Sequence, residues 1–408
     1  MFLNKQSFKK DYICPYCFNQ HPLYEVKFRC DNEKCELEDD LVFSSFNGYS
    51  RPQEMHHVIA PPQPTGIVSK FFGKMPSELD CDDCGEQTTI KICPSCHSEL
   101  PSTIGDFEDL IFAVVGAKET GKSHYISVLI NELSKDIGEA YDCILEPLND
   151  ETITRYREDF WNPVFKRKET IQATRSGRAD QTIRRPLIYT LKFFKKGALQ
   201  KTKVHKVITL AFFDAAGEDL DAEDTMNLVN KYIYNSAGII LLLDPLQLDN
   251  VRENLPEGMH LPNINSDSNE ILYRMTNLIR KAKNLKQDKK IDIPLAVAFS
   301  KIDAITSMLD ASSPLRFPSH HEQSQAFDLT DFKNVQSEIE VLIKDWSASG
   351  MTRTLQVNYS SFGYFGVSSL GYNPDTDMKI KNLNPYRVAD PFLWLLAEHK
   401  IINTNSRK

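Results

Sequence analysis

The 408-residue sequence contains no run approaching the roughly 18 consecutive apolar residues of a membrane helix. Met1 to Lys10 carries no apolar core of the kind a signal peptide needs. These two absences predict a soluble, cytoplasmic chain. A basic excess is also missing: 48 Lys and Arg face 56 Asp and Glu, giving a net charge of -8. Any nucleic-acid contact would have to come from a local patch, and bulk DNA binding is disfavoured. No internal repeat recurs at a fixed period. Beyond residue 100 there is one cysteine, Cys143. What is present is ample for a globular core, with 41% hydrophobic residues over a length that suggests two or three domains.

The other eight cysteines come as four close pairs, Cys14/Cys17, Cys30/Cys35, Cys81/Cys84 and Cys93/Cys96. Without an export signal, such pairing reads as metal ligation before disulfides. Cys81-x2-Cys84-x8-Cys93-x2-Cys96 has the two knuckles and short hairpin of a zinc ribbon, four thiolates closing a tetrahedral site. Cys14-x2-Cys17-x12-Cys30-x4-Cys35 is a looser second copy. Local pairing would give two separate ribbons, whereas Cys14/Cys17 could instead share a metal with Cys93/Cys96, and the spacing does not choose between them. One or two Zn²⁺ ions are expected, in closed and therefore structural sites. His97 and His56-His57 are alternative ligands, with ordinary surface positions as the plainer reading. The acidic run Glu36-Leu-Glu-Asp-Asp40 and the lack of a dense Lys/Arg cluster favour a protein-interaction or stabilising role for this part.

Three zones follow along the chain. Residues 1–105 form a zinc-ribbon domain with an insertion or partly ordered connection at about 36–80, which includes Pro61-Pro-Gln-Pro64. Residues 106–404 carry strand candidates separated by helical patterns, the alternation of a doubly wound α/β domain. The candidates are Leu110 to Val115, Leu187 to Phe194, Val204 to Phe213, Gly238 to Leu243, Pro294 to Phe299 and Leu355 to Ser360. Long segments at 137–186, 245–268 and 304–330 interrupt this core, and loops of such length are usually functional or partly disordered. The last helix, about Val388 to Ile402, is expected to pack back on the sheet through Phe392, Leu393, Leu396 and Ile401.

Gly116-Ala-Lys-Glu-Thr-Gly-Lys-Ser123 lies between the apolar run Leu110 to Val115 and the helical pattern Ser123 to Leu133. That order of strand, glycine-rich turn and helix is what a phosphate-binding loop requires. Gly116 and Gly121 permit the backbone angles by which consecutive amides, through Lys118, Glu119 and Thr120, converge on a phosphate at the positive end of the helix. Lys122 adds a point charge, Ser123 a hydroxyl for Mg²⁺, and His124 follows in the first turn. At the end of Val204 to Phe213 comes Asp214-Ala-Ala-Gly217, where the carboxylate could hold Mg²⁺ through water and the Gly217 amide could meet a γ-phosphate. At the end of Pro294 to Phe299 comes Ser300-Lys-Ile-Asp303, where Asp303 could accept from guanine N1 and N2 while the Lys301 stem packs on the base. Gly366-Val-Ser-Ser369 could place a backbone amide, at Ser368 or Ser369, on guanine O6. An ATP-using enzyme has no need of these last two motifs, so a P-loop ATPase is the weaker alternative.

These residues resemble the Ras-like and translation-factor class of GTPases over about residues 106–402. The resemblance implies a P-loop NTPase fold, bound GTP or GDP, and Mg²⁺ held by Ser123, Asp214 and a switch threonine. For that threonine the candidates are Thr170, Thr174 and Thr182, with Thr182 nearest the following strand. Two positions depart from the pattern: Ser300 stands where Asn or Thr is usual, and Glu218 stands where many members have a water-positioning Gln. A carboxylate there is repelled by a γ-phosphate, which points to slow turnover or another catalytic group. Residues 166–185 carry seven basic side chains against two acidic ones, and Arg178 or Arg175 could stabilise the transition state in cis. A solvated or partner-binding face is the plainer reading of any one of these arginines. The expected catalytic set is thus Lys122, Glu218, Thr182 and Arg178.

The layout as a whole is similar to the bacterial double-GTPase families of conflict and antiphage systems. The supporting segments are Cys14-Pro-Tyr-Cys17, Phe28-Arg-Cys30, Cys93-Pro-Ser-Cys96-His-Ser-Glu-Leu-Pro101, the phosphate loop, and Val388-Ala-Asp-Pro-Phe-Leu-Trp394. This resemblance implies a GTP-dependent switch with a partner GTPase or effector. The alternative is a zinc-ribbon adaptor whose G domain binds nucleotide but scarcely hydrolyses it.

Overall fold

All six residues of Gly238–Leu243 and all five of Leu295–Phe299 are buried. Strands with no polar face must be covered on both sides, the condition of a parallel sheet between helical layers. The computed structural model describes residues 11–62, 75–105, 110–117, 119–171, 185–196, 202–213, 223–255, 261–262, 268–346, 349–372, 374 and 378–405. In chain order its α/β part contains β1 (Phe112–Gly116), α1 (Lys122–Leu133), β2 (Cys143–Pro147), β3 (Leu187–Lys196), β4 (Thr202–Phe212), α2 (Glu223–Tyr234), β5 (Gly238–Leu243), α3 (Ser268–Ala282), β6 (Leu295–Phe299), α4 (Leu329–Asp345), α5 (Ser349–Asn358), β7 (Phe362–Gly366) and α6 (Asp390–Glu398).

Four of these strands form a parallel sheet in the order β1-β5-β6-β7. Side-chain alternation along β5 feeds two cores, as a covered strand requires. Ile239, Leu241 and Leu243 pack with Tyr232, Leu272, Met275 and Ile279 from α2 and α3, while Ile240 and Leu242 pack with Val128 and Leu129 of α1 and Phe392 and Leu396 of α6. This is the doubly wound α/β arrangement of GTPase-type P-loop folds. A second sheet, β2-β3-β4, is antiparallel. No helix among the described residues is long and apolar enough to cross a membrane.

The N-terminal part is a set of short antiparallel pieces. Lys27–Arg29 pairs with Val58–Ile59 and Ile90–Ile92, and three further hairpins surround it. Residues 36–62, expected as a loose connection, are instead an ordered hairpin, Leu37–Asp40 with Gln53–His56, enclosing the helix Leu41–Phe46. The reason lies in Asp40, which ends the acidic run. It is buried, caps that helix by accepting from the Phe43 amide at 2.9 Å, and accepts from Arg29 Nη2 at 2.7 Å.

Other expectations also shift. Leu355 to Ser360, expected as a strand, largely belongs to helix α5, and the strand is Phe362–Gly366. Buried Met351, Leu355 and Tyr359 fall four residues apart, a helical period that overrides the β-rich look of the segment. The interruption at 137–186 contains β2, the helix Asp150–Arg155 and a π-helix over Tyr156–Arg167. The C-terminal helix is Asp390–Glu398, shorter than expected, with Phe392, Leu393 and Leu396 buried on the sheet as anticipated.

Candidate nucleotide site and zinc centres

Strand β1 ends at Gly116 and α1 begins at Lys122, so the phosphate loop turns within five residues. Two glycines make this turn possible. A Cβ at Gly116 would lie 2.6 Å from Thr120 Oγ1, and Gly121 has φ +82°, a left-handed angle that costs little without a side chain. Buried Thr120 closes the loop by donating to the Ala117 carbonyl at 2.9 Å, so its hydroxyl serves the loop's own shape. The N-cap residue of α1 is Gly121, which has no side chain to offer the first amides. Its first turn, Lys122-Ser-His124, carries the positive end of the helix macrodipole.

The ends of β5 and β6 meet this loop. Lys301, at φ 52°, extends Nζ to the Glu119 carbonyl at 2.8 Å and to Asp244 Oδ2 at 2.5 Å. Asp244 follows directly on β5 and is 1% exposed. Burial raises its carboxyl above the usual carboxylate range, and the Lys301 ammonium works against that rise. Ser300 is also buried and ties β6 to β5 through its amide, which donates to the Leu243 carbonyl at 2.8 Å. Asp303 lies in the first turn of a 3-10 helix, Ile302–Met308, and accepts a hydrogen bond from Ser368 Oγ, which in turn accepts from the Gly371 amide at 2.8 Å. Burial raises the Asp303 carboxyl, and the Ser368 hydroxyl opposes the rise.

Sequence reasoning placed Lys301, Asp303 and Ser368 in one site, and they lie together, with Ser369 half-buried beside them. His124 does something not foreseen: its Nε2 accepts from the Ile171 amide at 2.9 Å, tying the first turn of α1 to the segment after the π-helix. In that segment the Thr170 amide donates to the Met378 carbonyl at 3.0 Å and Glu169 pairs with Lys379 at 2.6 Å. Lys118, Thr174, Arg175, Arg178, Thr182, Asp214, Gly217 and Glu218 lie outside the described residues. Asp244 was missed. Its signal was available, since it ends an apolar run one strand over from Asp303.

The cysteines pair across the insertion. Cys14, Cys17, Cys93 and Cys96 form one group and Cys30, Cys35, Cys81 and Cys84 the other. Of the two pairings that the spacing left open, the contiguous ribbon from Cys81 to Cys96 is not formed, and Cys14/Cys17 share a centre with Cys93/Cys96. The physical reason is that Lys27–Arg29 runs beside Ile90–Ile92, which carries the first two cysteine pairs onto the last two. Sγ separations are 3.7 Å for Cys14–Cys96 and Cys17–Cys93, and 3.6 and 3.9 Å for Cys30–Cys84 and Cys35–Cys81. Four thiolates at about 2.3 Å from a tetrahedral Zn²⁺ would sit about 3.8 Å apart, so both groups fit that ion. Amides of Tyr16 and Ser95 donate to Cys14 and Cys93 Sγ, as suits thiolate ligands. His97 is no surface residue or ligand: it is buried, with Nδ1 2.8 Å from Asp40 Oδ2. His57 lies between Glu38 and Asp82 at 2.7 and 2.9 Å.

A third group, His321, Asp331 and Asp390, is close enough to hold a metal. Arg387 already occupies both carboxylates, at 2.7 and 2.9 Å from the two Asp331 oxygens and 2.9 Å from Asp390. A cation there would meet a guanidinium, so the group is an internal ion network.

No known family profile matches the chain. It is 23% identical over 344 residues, 80% of this chain and 84% of the relative, to SaeC of Mycolicibacterium smegmatis, a protein proposed to act in ESX-1 scaffolding and assembly. Among solved structures it is similar to the Arl6 BBS3 small GTPase of Trypanosoma brucei bound to GppNp, at 13% identity and TM-score 0.28, covering 72% of this chain and 99% of that one. It is likewise similar to the GTPase-like domain of Saccharomyces cerevisiae Ski7 bound to GDP and phosphate, at 14% identity and TM-score 0.29, covering 72% of this chain and half of that one. With scores this low, the fold rests on the strand order, the loop and the strand-end residues described above.

Proposed function

We propose that this protein is a Mg²⁺-dependent guanine-nucleotide switch whose zinc-bearing N-terminal part connects it to other proteins. The observation that carries the reading is the Lys301 ammonium on the Glu119 carbonyl, with Asp303 braced by Ser368 beside it. An adenine site has no use for a carboxylate held at that point, whereas guanine presents two N–H donors to it. Lys122 would meet the phosphates, and Ser123, Asp214 and Thr182 would hold Mg²⁺. Hydrolysis would release the segments around Thr182 and Gly217. Glu218 in place of glutamine supports the second reading, an adaptor that binds nucleotide and turns over slowly.

The SaeC relative favours an assembly role for the output. The antiphage role implied by the double-GTPase resemblance gains no support from it. Calorimetry with GTP, GDP and ATP tests the nucleotide: tighter ATP than GTP binding would reject the role given to Asp303. Phosphate release compared between wild type and Lys122→Ala tests turnover, and equal rates would leave the adaptor reading in place of the cycling switch.

A further inference from the structure

Strands β1 and β4 belong to different hydrogen-bonded sheets although they run side by side. Between them stands the hydroxyl of Tyr232, from the last turn of α2. It accepts from the Val114 amide at 3.1 Å, and the carbonyls of Phe112 and Ala211 lie 3.1 and 2.9 Å away. In a parallel ladder, the carbonyl of residue i and the amide of residue i+2 on one strand bond to a single residue of its neighbour. Phe112 and Val114 are such a pair, so one tyrosine hydroxyl takes the place of a missing β4 residue.

What holds Tyr232 there comes from the first zinc knuckle. Phe18, buried and at φ 54°, packs against the Tyr232 ring with the centroids 4.9 Å apart and the planes tilted by 42°, and meets Phe213, the residue before Asp214, edge-on at 6.1 Å. The Phe18 carbonyl accepts from Asn235 Nδ2 at 2.7 Å, just past the end of α2. Phe18 directly follows Cys17, and its amide donates to the Cys14 carbonyl at 2.9 Å. The same knuckle reaches a second element: Tyr16 accepts from Asn149 Nδ2 at 2.9 Å, and Asn149 caps the helix Asp150–Arg155.

We propose that Phe18 and Tyr232 are positioning residues for the phosphate loop, so that metal occupancy of the Cys14/Cys17/Cys93/Cys96 centre and nucleotide affinity are linked. The inference rests on the nucleotide site proposed above. Without the metal the knuckle loses its shape, Phe18 leaves Tyr232, and the seam between β1 and β4 is no longer held at the spacing that places Gly116 and Thr120. Linkage is reciprocal, so bound nucleotide must tighten the metal centre by the same factor.

The test uses the full chain and the variants Tyr232→Phe and Phe18→Ala. Both are expected to weaken GTP binding about tenfold, within the usual range of coupling between sites. In wild type, saturating GTP should slow transfer of one of the two zinc ions to a chromogenic chelator and leave the other unchanged. In Tyr232→Phe saturated with GTP that selective slowing should be lost. A folded Tyr232→Phe protein with a lowered melting temperature but wild-type GTP affinity would show a merely structural tyrosine and overturn the proposal. Equal slowing of both zinc ions would do the same, since that is what general stabilisation by a ligand produces. A wild type that binds no guanine nucleotide would instead reject the nucleotide site itself, and the linkage with it.

Discussion

Lys301 bonds the backbone carbonyl of Glu119 across 182 positions of sequence, and the same ammonium pairs with the buried carboxylate of Asp244. The lysine thereby fastens the phosphate loop to the ends of two parallel strands. Removing it leaves Asp244 buried and unpaired, the costly half of a broken ion pair. Lys301→Met is expected to lower stability in urea by about 2 kcal/mol, the partial exposure of the lysine reducing the penalty. Adding Asp244→Asn should recover part of that loss; a double variant no better than the single would show that the two do not act as a pair.

Ser368 is expected to matter through Asp303. Ser368→Ala removes the hydroxyl that Asp303 accepts from, leaving that half-buried carboxylate less well oriented. A hydrogen bond to a charged group contributes about 1.5–3 kcal/mol, so GTP affinity should fall at least tenfold while ATP affinity stays put. Parallel loss for both nucleotides would count against a base-reading site.

The nested cysteine pairing has a direct chemical check. Replacing Cys30, Cys35, Cys81 and Cys84 together by serine should leave one zinc per chain by metal analysis, because the other four ligands form a separate group. Contiguous pairing predicts the loss of both ions, since each local ribbon would lose half its ligands.

Arg387 holds Asp331 bidentately and Asp390 as well, with all but the edge of Asp331 out of water. Arg387→Ala should cost about 3 kcal/mol, since it leaves the two carboxylates with only the His321 imidazole, 3.7–3.8 Å away, to offset them. A loss under 1 kcal/mol in urea would mean that water reaches the network.

Glu132, near the end of α1, offers a pH test. Burial, with the carboxylates of Glu322, Asp390 and Asp136 around it, pushes its carboxyl from 4.5 up to about 8. The native state therefore holds this proton more tightly than the unfolded chain. The group costs nothing below about pH 4.5, and its destabilising effect grows as pH rises from 4.5 to 8. Glu132→Gln should match wild type in urea at acid pH and exceed it by about 4 kcal/mol at pH 8 and above. A gap independent of pH would assign the difference to packing.

Much of the site was legible because its signals are local. A glycine turn between an apolar strand and a helix, or a carboxylate at a strand end, is written in a few consecutive residues. Asp303 and the phosphate loop were visible for that reason. The strand misassigned at Leu355 failed because Leu355, Val357 and Tyr359 alternate over a short stretch, and only the longer spacing from Met351 reveals the helix. Asp40 read only as the end of an acidic run that favoured a protein-interaction or stabilising role, yet it is buried against Arg29 and His97.

The sequence by itself determined which chemical groups this chain carries: a glycine-rich loop between a strand and a helix, a strand-end carboxylate, and eight cysteines in pairs. Each depends on residue type and short spacing, which the chain fixes before it folds. The tertiary structure decided the partners. It crossed the cysteine pairs, set Lys301 on Glu119, and put the Tyr232 hydroxyl where a strand residue would stand, with Phe18 of the zinc knuckle behind it. Such contacts join residues tens to hundreds of positions apart, and only the packing of buried faces brings them together.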